Sequence, residues 1–185
     1  GVPLQIIGLS GYKGSGKDTV ARIITGRFPA LSGWHRIAFA DAVREAVAAM
    51  YGFTMRQMLD PVLKERVDDF WGVSPREALR SVGMERRAVR NDFWLMALER
   101  RMSEIMRRSM LPVKGFVIPD VRFENELDFV RDHGGKTWVI HRPGCEYDGH
   151  ITEALPRDSQ RFDRILNNDR DLRSLRQTVR YMMSI

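Results

Sequence analysis

A single cysteine, Cys145, serves a chain of 185 residues, so no internal disulfide can staple it. A lone thiol suits a reducing compartment, and the expectation is a cytoplasmic protein. Long apolar runs are missing as well. No stretch approaches the roughly 20 residues a membrane-spanning helix needs. The apolar start PLQIIGL is too short for a signal peptide and lacks its basic flank. There are no internal repeats and no low-complexity segments, which sets aside solenoids and extended disordered tails. Lysine is scarce too: of 30 basic residues, 25 are Arg.

What is present is ordinary for a globular chain, 43% hydrophobic and 29% charged, and its length fits one domain over residues 1–185 with a sizeable core. The net charge of +6 raises nucleic acid as a partner. The positive residues are scattered among 24 acids rather than grouped, which argues against that partner. Three other readings of the excess compete: guanidinium groups that bind phosphates inside a cleft, a high-GC coding sequence, and solvated helix faces. Self-association, a homodimer included, is left open.

Short apolar runs alternate with helical periodicity. Residues 4–9 (LQIIGL), 36–40 (RIAFA), 115–119 (GFVIP), 136–141 (KTWVIH) and 163–166 (DRIL) read as five strands. Helices are expected over 17–28, stopped by Pro29, and over 41–50, capped by Asp41 and ended by Gly52. Ser74-Pro75-Arg76-Glu77 combines a capping box with proline at the first helical position, so a helix starts there. Asn91 or Asp92 caps another, and two more cover 123–133 and 171–183. Strand–helix alternation implies an α/β fold, a five-stranded parallel sheet flanked by helices. A helical insertion at about 54–110 interrupts it, and a loop at about 142–158 follows the fourth strand. Ligands of such sheets bind beyond the carboxyl ends of the strands.

Residues 11–19, GYKGSGKDT, come close to the phosphate-cradling pattern G-x-x-x-x-G-K-[ST]. They follow an apolar strand and open an apolar-periodic helix, the setting that supports the motif. Gly11, Gly14 and Gly16 let successive N–H groups turn inward around Ser15, and the helix beginning at Lys17 adds its positive end. Lys17 supplies charge for the outer phosphates of a nucleotide. Asp18 stands where Ser or Thr is usual. A carboxylate is a good Mg²⁺ ligand, but unneutralised it repels phosphate. The expectation is that Asp18 approaches the metal directly or through water, with the Thr19 hydroxyl beside it. Asp120, just past the third strand, is placed to face a metal–nucleotide complex, and Arg122 projects toward the same crevice. The plainer readings are a helix cap for Asp120 and an ion pair of Arg122 with Glu124 or Glu126.

The segments GYKGSGKDTVA, AFADAVREAV, SPREALRSVGMERRAVRNDFW, IPDVRFENE, GGKTWVIHRPG, HITEALP and FDRILNNDRDLRSL resemble, in order, phage-type deoxynucleoside monophosphate kinases. The GKDT form of the loop and the DVRF-x-NE segment are the more specific of these. The resemblance implies a P-loop kinase fold that moves the γ-phosphoryl group of ATP to a deoxynucleoside monophosphate with Mg²⁺, in a host cytoplasm where the source is a phage. It implies a helical monophosphate-binding insertion and a short lid. Lys17, Asp120, Arg122 and Arg142 are the expected catalytic residues, and Asn168 is expected at an adenine-contacting turn. Acceptor-side residues are expected among Asp41, Arg44, Arg76, Arg80, Arg87, Arg90, Trp94, Arg122, Glu124, His150 and Glu153. Phe39, Trp71 and Trp94 are candidate base-stacking surfaces, with core packing the simpler role for each. Two other readings stand beside this one: another small-molecule P-loop kinase, such as a dephospho-coenzyme A kinase, and a non-catalytic nucleotide- or nucleic-acid-binding protein.

Overall fold

The computed structural model describes residues 3–149 and 151–185. Five strands, β1 (Gln5–Gly11), β2 (Trp34–Arg36), β3 (Gly115–Ile118), β4 (Lys136–His141) and β5 (Arg164–Asn167), form one sheet in the order β2-β3-β1-β4-β5. Every pairing is parallel. Near-continuous apolar runs suit strands covered on both faces. Alternate residues then serve the two layers. Ile7 and Leu9 of β1 share a core with Trp34, Val117, Trp138, Ile140 and Leu166. Helices α1 (Lys17–Thr25) and α8 (Leu172–Ser184) complete it through Val20, Ile24, Leu175, Val179 and Met182. On the opposite face, Gly8 leaves room for α7 (Glu124–Asp132), since a Cβ there would lie 2.9 Å from the Val130 side chain.

Two compact units result, residues 1–38 with 102–185, and residues 39–101. The first holds the sheet and a short helix, α2 (Pro29–Ser32), ahead of β2. The second is helical: α3 (Phe39–Tyr51), α4 (Met55–Leu59), α5 (Pro75–Val89) and the first part of α6 (Phe93–Arg108). Its core is Val43, Val47, Phe53, Met58, Ala78, Val82 and Trp94. The expected capping box opens α5: the Glu77 N–H donates to Ser74 Oγ at 3.2 Å, and the Ser74 N–H donates to Glu77 Oε2 at 2.7 Å. Thr54 and Gln57 repeat the device at α4.

Local differences from the sequence reading have physical causes. The run 36–40 is no strand: β2 ends at Arg36 and Phe39 already begins α3. Ile37, Ala38 and Phe39 are apolar because they are buried, and burial of that kind does not distinguish strand from helix. Ile37 still donates its N–H to Val117 O at 3.0 Å, the last contact of the ladder. Helix α1 stops at Thr25, before Pro29 is reached, on Gly26 at φ 74°, a backbone angle that favours glycine. The helical unit takes in α3 and so begins well before residue 54.

Gly115 shows how tightly the sheet is set. A Cβ there would lie 2.6 Å from Gln5 O and 2.6 Å from the Trp34 ring, which it faces across the β2–β3 register. Backbone and a buried indole cannot both retreat. Gly115→Ala is therefore expected to destabilise the protein by about 1–3 kcal/mol, the usual cost of overpacking. Urea denaturation monitored by tryptophan fluorescence measures it.

Candidate active site

Strand β1 runs directly into the glycine-rich turn. The Ser15 N–H donates to Tyr12 O at 3.0 Å, and α1 starts at Lys17 with Gly16 as its cap. Gly16 sits at φ 108°, where a side chain would be strained, and a Cβ on it would meet Asn168 Nδ2 at 2.7 Å. A Cβ on Gly11 would lie 2.5 Å from Ser15 Oγ and 2.8 Å from Ile140 O. Close approach alone therefore demands glycine at two of the motif positions. The turn delivers the amino end of α1, with its outward N–H groups and partial positive charge, to the carboxyl edge of the sheet.

Lys17 folds back over this turn. Its ammonium donates to Gly11 O and, at 3.4 Å, to Tyr12 O. Burial, and after it the Arg122 guanidinium, hold the ammonium below the ordinary lysine range; Glu153, Asp18 and Asp120 pull in the opposite direction. One cation and three carboxylates, from three stretches of chain, thus act on Lys17. The structure brings together residues that the sequence reading named singly: Lys17, Asp18, Asp120, Arg122 and Glu153.

Their individual settings differ. Asp120 is half-buried past the end of β3. Arg122 is exposed, and neither expected ion pair claims it. Glu126 Oε1 accepts the backbone N–H groups of Arg122 and Phe123, at 2.8 and 3.0 Å, while Glu124 pairs with Arg161. Among the described residues no carboxylate pairs with the Arg122 guanidinium. Thr19 is half-buried in the first turn of α1. Asp18 is 73% exposed and pairs with Arg36 at 3.1 Å. No motif marked Arg36; only its position at the end of β2 brings it there.

The segment after β4 lies against the turn. Glu153 Oε1 accepts the Lys13 N–H at 2.8 Å, and its Oε2 is shut off from solvent with no hydrogen-bond partner among the described residues. The Tyr12 and Tyr147 rings are 6.4 Å apart, and the Arg157 guanidinium covers Tyr147 at 4.6 Å. Three single turns of 3-10 helix, Ile151–Glu153, Leu155–Arg157 and Ser159–Arg161, carry the chain back to β5. Arg142 is exposed one residue past β4 and does not join the Lys17 group. His150 lies outside the described residues. Asn168, 9% exposed, donates through Nδ2 to Ser15 O at 2.9 Å, so its side chain serves the turn.

In the helical unit most of the named side chains already have partners. Arg44 pairs with Asp41 at 2.9 Å, Arg90 with Asp92 at 2.6 Å, and Arg76 with Glu65. Arg80 is exposed and Arg87 half-buried on α5. Trp94 is a core residue: it is 7% exposed and its ring N–H donates to Gly83 O at 2.9 Å, which leaves no face for a base. Phe39 is buried likewise. Trp71 is 44% exposed, with its ring N–H on Tyr51 O at 2.9 Å.

Residues 81–179 match the model of the deoxynucleotide monophosphate kinase family. A candidate deoxynucleotide monophosphate kinase of Acanthamoeba polyphaga mimivirus is 31% identical over 181 residues, 91% of either chain. The chain belongs to the deoxynucleotide monophosphate kinase family. It is also 28% identical over 152 residues to the protein ORF76 of Ictalurid herpesvirus 1 (strain Auburn), covering 82% of this chain and 54% of that one. Both relatives are viral, in keeping with the phage-type resemblance of the motifs. Dephospho-CoA kinase from Campylobacter jejuni superposes with a TM-score of 0.50 at 16% identity, over 98% of this chain and 97% of that one. That likeness shows a shared P-loop kinase fold and does not bear on the acceptor. The protein is a kinase of the deoxynucleotide monophosphate kinase family with a P-loop kinase fold. Among the described residues no helix is long and apolar enough to cross a membrane.

Because burial disfavours its ammonium, Lys17 costs the ligand-free fold stability at every pH below its lowered pKa. That cost fades as pH rises from there toward the ordinary lysine range, since the unfolded chain then binds the extra proton. Lys17→Met is expected to leave the thermal midpoint of the ligand-free protein unchanged or raised at pH 7. Kinase turnover is expected to fall by about 10²–10³-fold, as for loss of one group that stabilises transferring charge. Scanning calorimetry and a rate assay on the same preparation check both halves.

Proposed function

We propose that the protein transfers the γ-phosphoryl group of ATP to a deoxynucleoside monophosphate, giving the diphosphate and ADP. The observation that carries the reading is the pair Lys17 and Arg122. Lys17 and Arg122 follow the carboxyl ends of β1 and β3, and the Arg122 charge opposes that of the half-buried Lys17 ammonium. Such a pair is stabilised by an anion between them, and the family supplies the class of anion.

The acceptor is already an anion, so no strong general base is required. An acceptor phosphate oxygen forms a bond to the γ-phosphorus as the bond from that phosphorus to the β–γ bridging oxygen breaks. The protein's task is to align the two phosphate groups and offset the charge between them. The loop N–H groups and Lys17 hold the donor phosphates. Arg122 takes the acceptor phosphate, for which its planar fork is suited. Arg142 and the segment over the turn serve as the lid that excludes water. Arg76, Arg80, Arg87 and Arg90 are the remaining candidates for acceptor contacts.

Hard oxygen donors at Asp120 and Thr19 fit Mg²⁺, which commonly takes one or two protein oxygens and completes its shell with water and substrate phosphate. When bound, the ion screens the phosphate charges and orients the transferred group. Among the described residues no three His, Cys, Asp or Glu side chains form a metal cluster, so Asp120 and Thr19 are offered as partial ligands. Asp18 fits less well than Asp120 because Arg36 holds it. That pairing suggests a role for Arg36: it neutralises a carboxylate that would otherwise oppose phosphate in the adjoining turn.

A coupled ADP-release assay across dAMP, dGMP, dCMP, dTMP, the ribonucleotides and dephospho-coenzyme A tests the reading. Turnover is expected with at least one deoxynucleoside monophosphate, and Arg122→Ala is expected to lower its kcat/KM about a hundredfold. Activity confined to dephospho-coenzyme A, or oligonucleotide binding without ADP release, sinks the proposal. In the same assay Arg36→Ala is expected to raise the KM for ATP roughly two- to fivefold, the scale of one exposed charge. Adding Asp18→Asn to that variant is expected to restore it.

A further inference from the structure

We infer that Asn168 is a positioning residue of the phosphate loop, which fixes one peptide so that its N–H faces the donor phosphates. The inference rests on the nucleotide-binding part of the proposed function and goes beyond it. The Asn168 backbone N–H donates to His141 O at 2.7 Å, tying the residue to the end of β4 one step past β5. Its side chain then reaches across to Ser15 O, a contact between residues 153 positions apart in sequence. The residue is nearly buried, so neither bond has water as a ready substitute.

The direction of the contact matters more than its strength. No cis peptide occurs among the described residues, so the Ser15–Gly16 unit is trans, with its C=O and N–H on opposite sides of the chain. Holding Ser15 O toward Asn168 therefore turns the Gly16 N–H the other way. That N–H has no acceptor among the described residues. The peptide has little freedom to flip. Gly16 is held at φ 108°, a Cβ on it would meet Asn168 Nδ2 at 2.7 Å, and its own C=O is engaged by the Val20 N–H at 2.9 Å. Asn168 thus works as a clamp at the back of the loop, and the N–H it orients is one of the donors a phosphate group meets. The adenine contact expected from sequence would instead use the side-chain amide that Ser15 now occupies.

Direct binding of two probes separates these roles. One is inorganic tripolyphosphate, which has phosphates and no base; the other is ATP, both with Mg²⁺ and both titrated by calorimetry. In Asn168→Ala, and in the same-sized Asn168→Asp, tripolyphosphate and ATP are expected to weaken by a common factor of about tenfold. The KM for ATP is expected to rise by that factor while the acceptor KM stays put. Weaker ATP binding with unchanged tripolyphosphate binding would mean a base contact and overturn the inference. Unchanged binding of both would overturn it too. The two titrations need no acceptor, so they decide the role of Asn168 even if the transferase assay finds no activity. Asn168→Asp preserves the packing if the alanine variant unfolds.

Discussion

A half-buried ammonium folded back over its own loop is the constraint on which the site depends. Lys17 lies at the amino end of a helix, where the local dipole already opposes positive charge, and Arg122 opposes it further. The ammonium donates to the carbonyls of Gly11 and Tyr12. The turn around it is tight: a Cβ on Gly11 would lie 2.5 Å from Ser15 Oγ, and one on Gly16 2.7 Å from Asn168 Nδ2. A phosphate group arriving here relieves an unfavourable arrangement rather than adding to a neutral one. Binding energy at such a site is in part stability that the ligand-free fold gave up, a common trade in active sites.

The parallel sheet supplies the rest without special loops. With every strand pointing the same way, each carboxyl end releases its chain on one edge, and ligands collect where the strand order reverses. Strand β1 is central, between β3 and β4, so Asp120 and Arg122 arrive from one side and the segment carrying Glu153 from the other. Strand β5, at the edge, contributes Asn168 through the last step of its pairing with β4. The site is thus assembled from strand ends. Its precision comes from a few long-range bonds: Lys13 N–H to Glu153, and Asn168 to Ser15.

Features written in adjacent residues were legible from sequence, and features that depend on sheet order were not. The glycine-rich turn, the capping box at Ser74 and Glu77, and four of the five apolar runs each carry their physics within a few positions. The strand expected at 36–40 failed because three fully buried residues look alike in a strand and at the start of a buried helix. Asp18 was legible as an anomaly but not as an ion pair. Its partner Arg36 ends a strand two places away from β1 in the sheet, and nothing in the spacing of the two residues encodes that. Asn168 was found for its position after the last strand. The direction of its side chain is a tertiary fact. Trp94 looked available to a base because an aromatic in an amphipathic helix carries no label for core or cleft until its neighbours are known.

The arginine excess takes on a different meaning once the pairs are known. In the helical unit Arg44, Arg76, Arg90 and Arg101 each meet a carboxylate, Asp41, Glu65, Asp92 and Glu45 in turn. Locally neutralised charge of this kind makes a poor surface for a polyanion, whose affinity grows with the number of phosphates neutralised. It is a reasonable store of phosphate ligands. Partly exposed ion pairs contribute at most about 1 kcal/mol each, whereas a guanidinium fork on a doubly charged phosphate makes two charge-assisted bonds. Exchange of a carboxylate for a phosphate therefore costs little and gains more, and until then the carboxylate keeps the long side chain from wandering. Arg122 is the exception. It carries no such partner among the described residues, and its charge opposes that of Lys17. With no carboxylate to exchange, Arg122 and Lys17 together favour an anion from outside the protein.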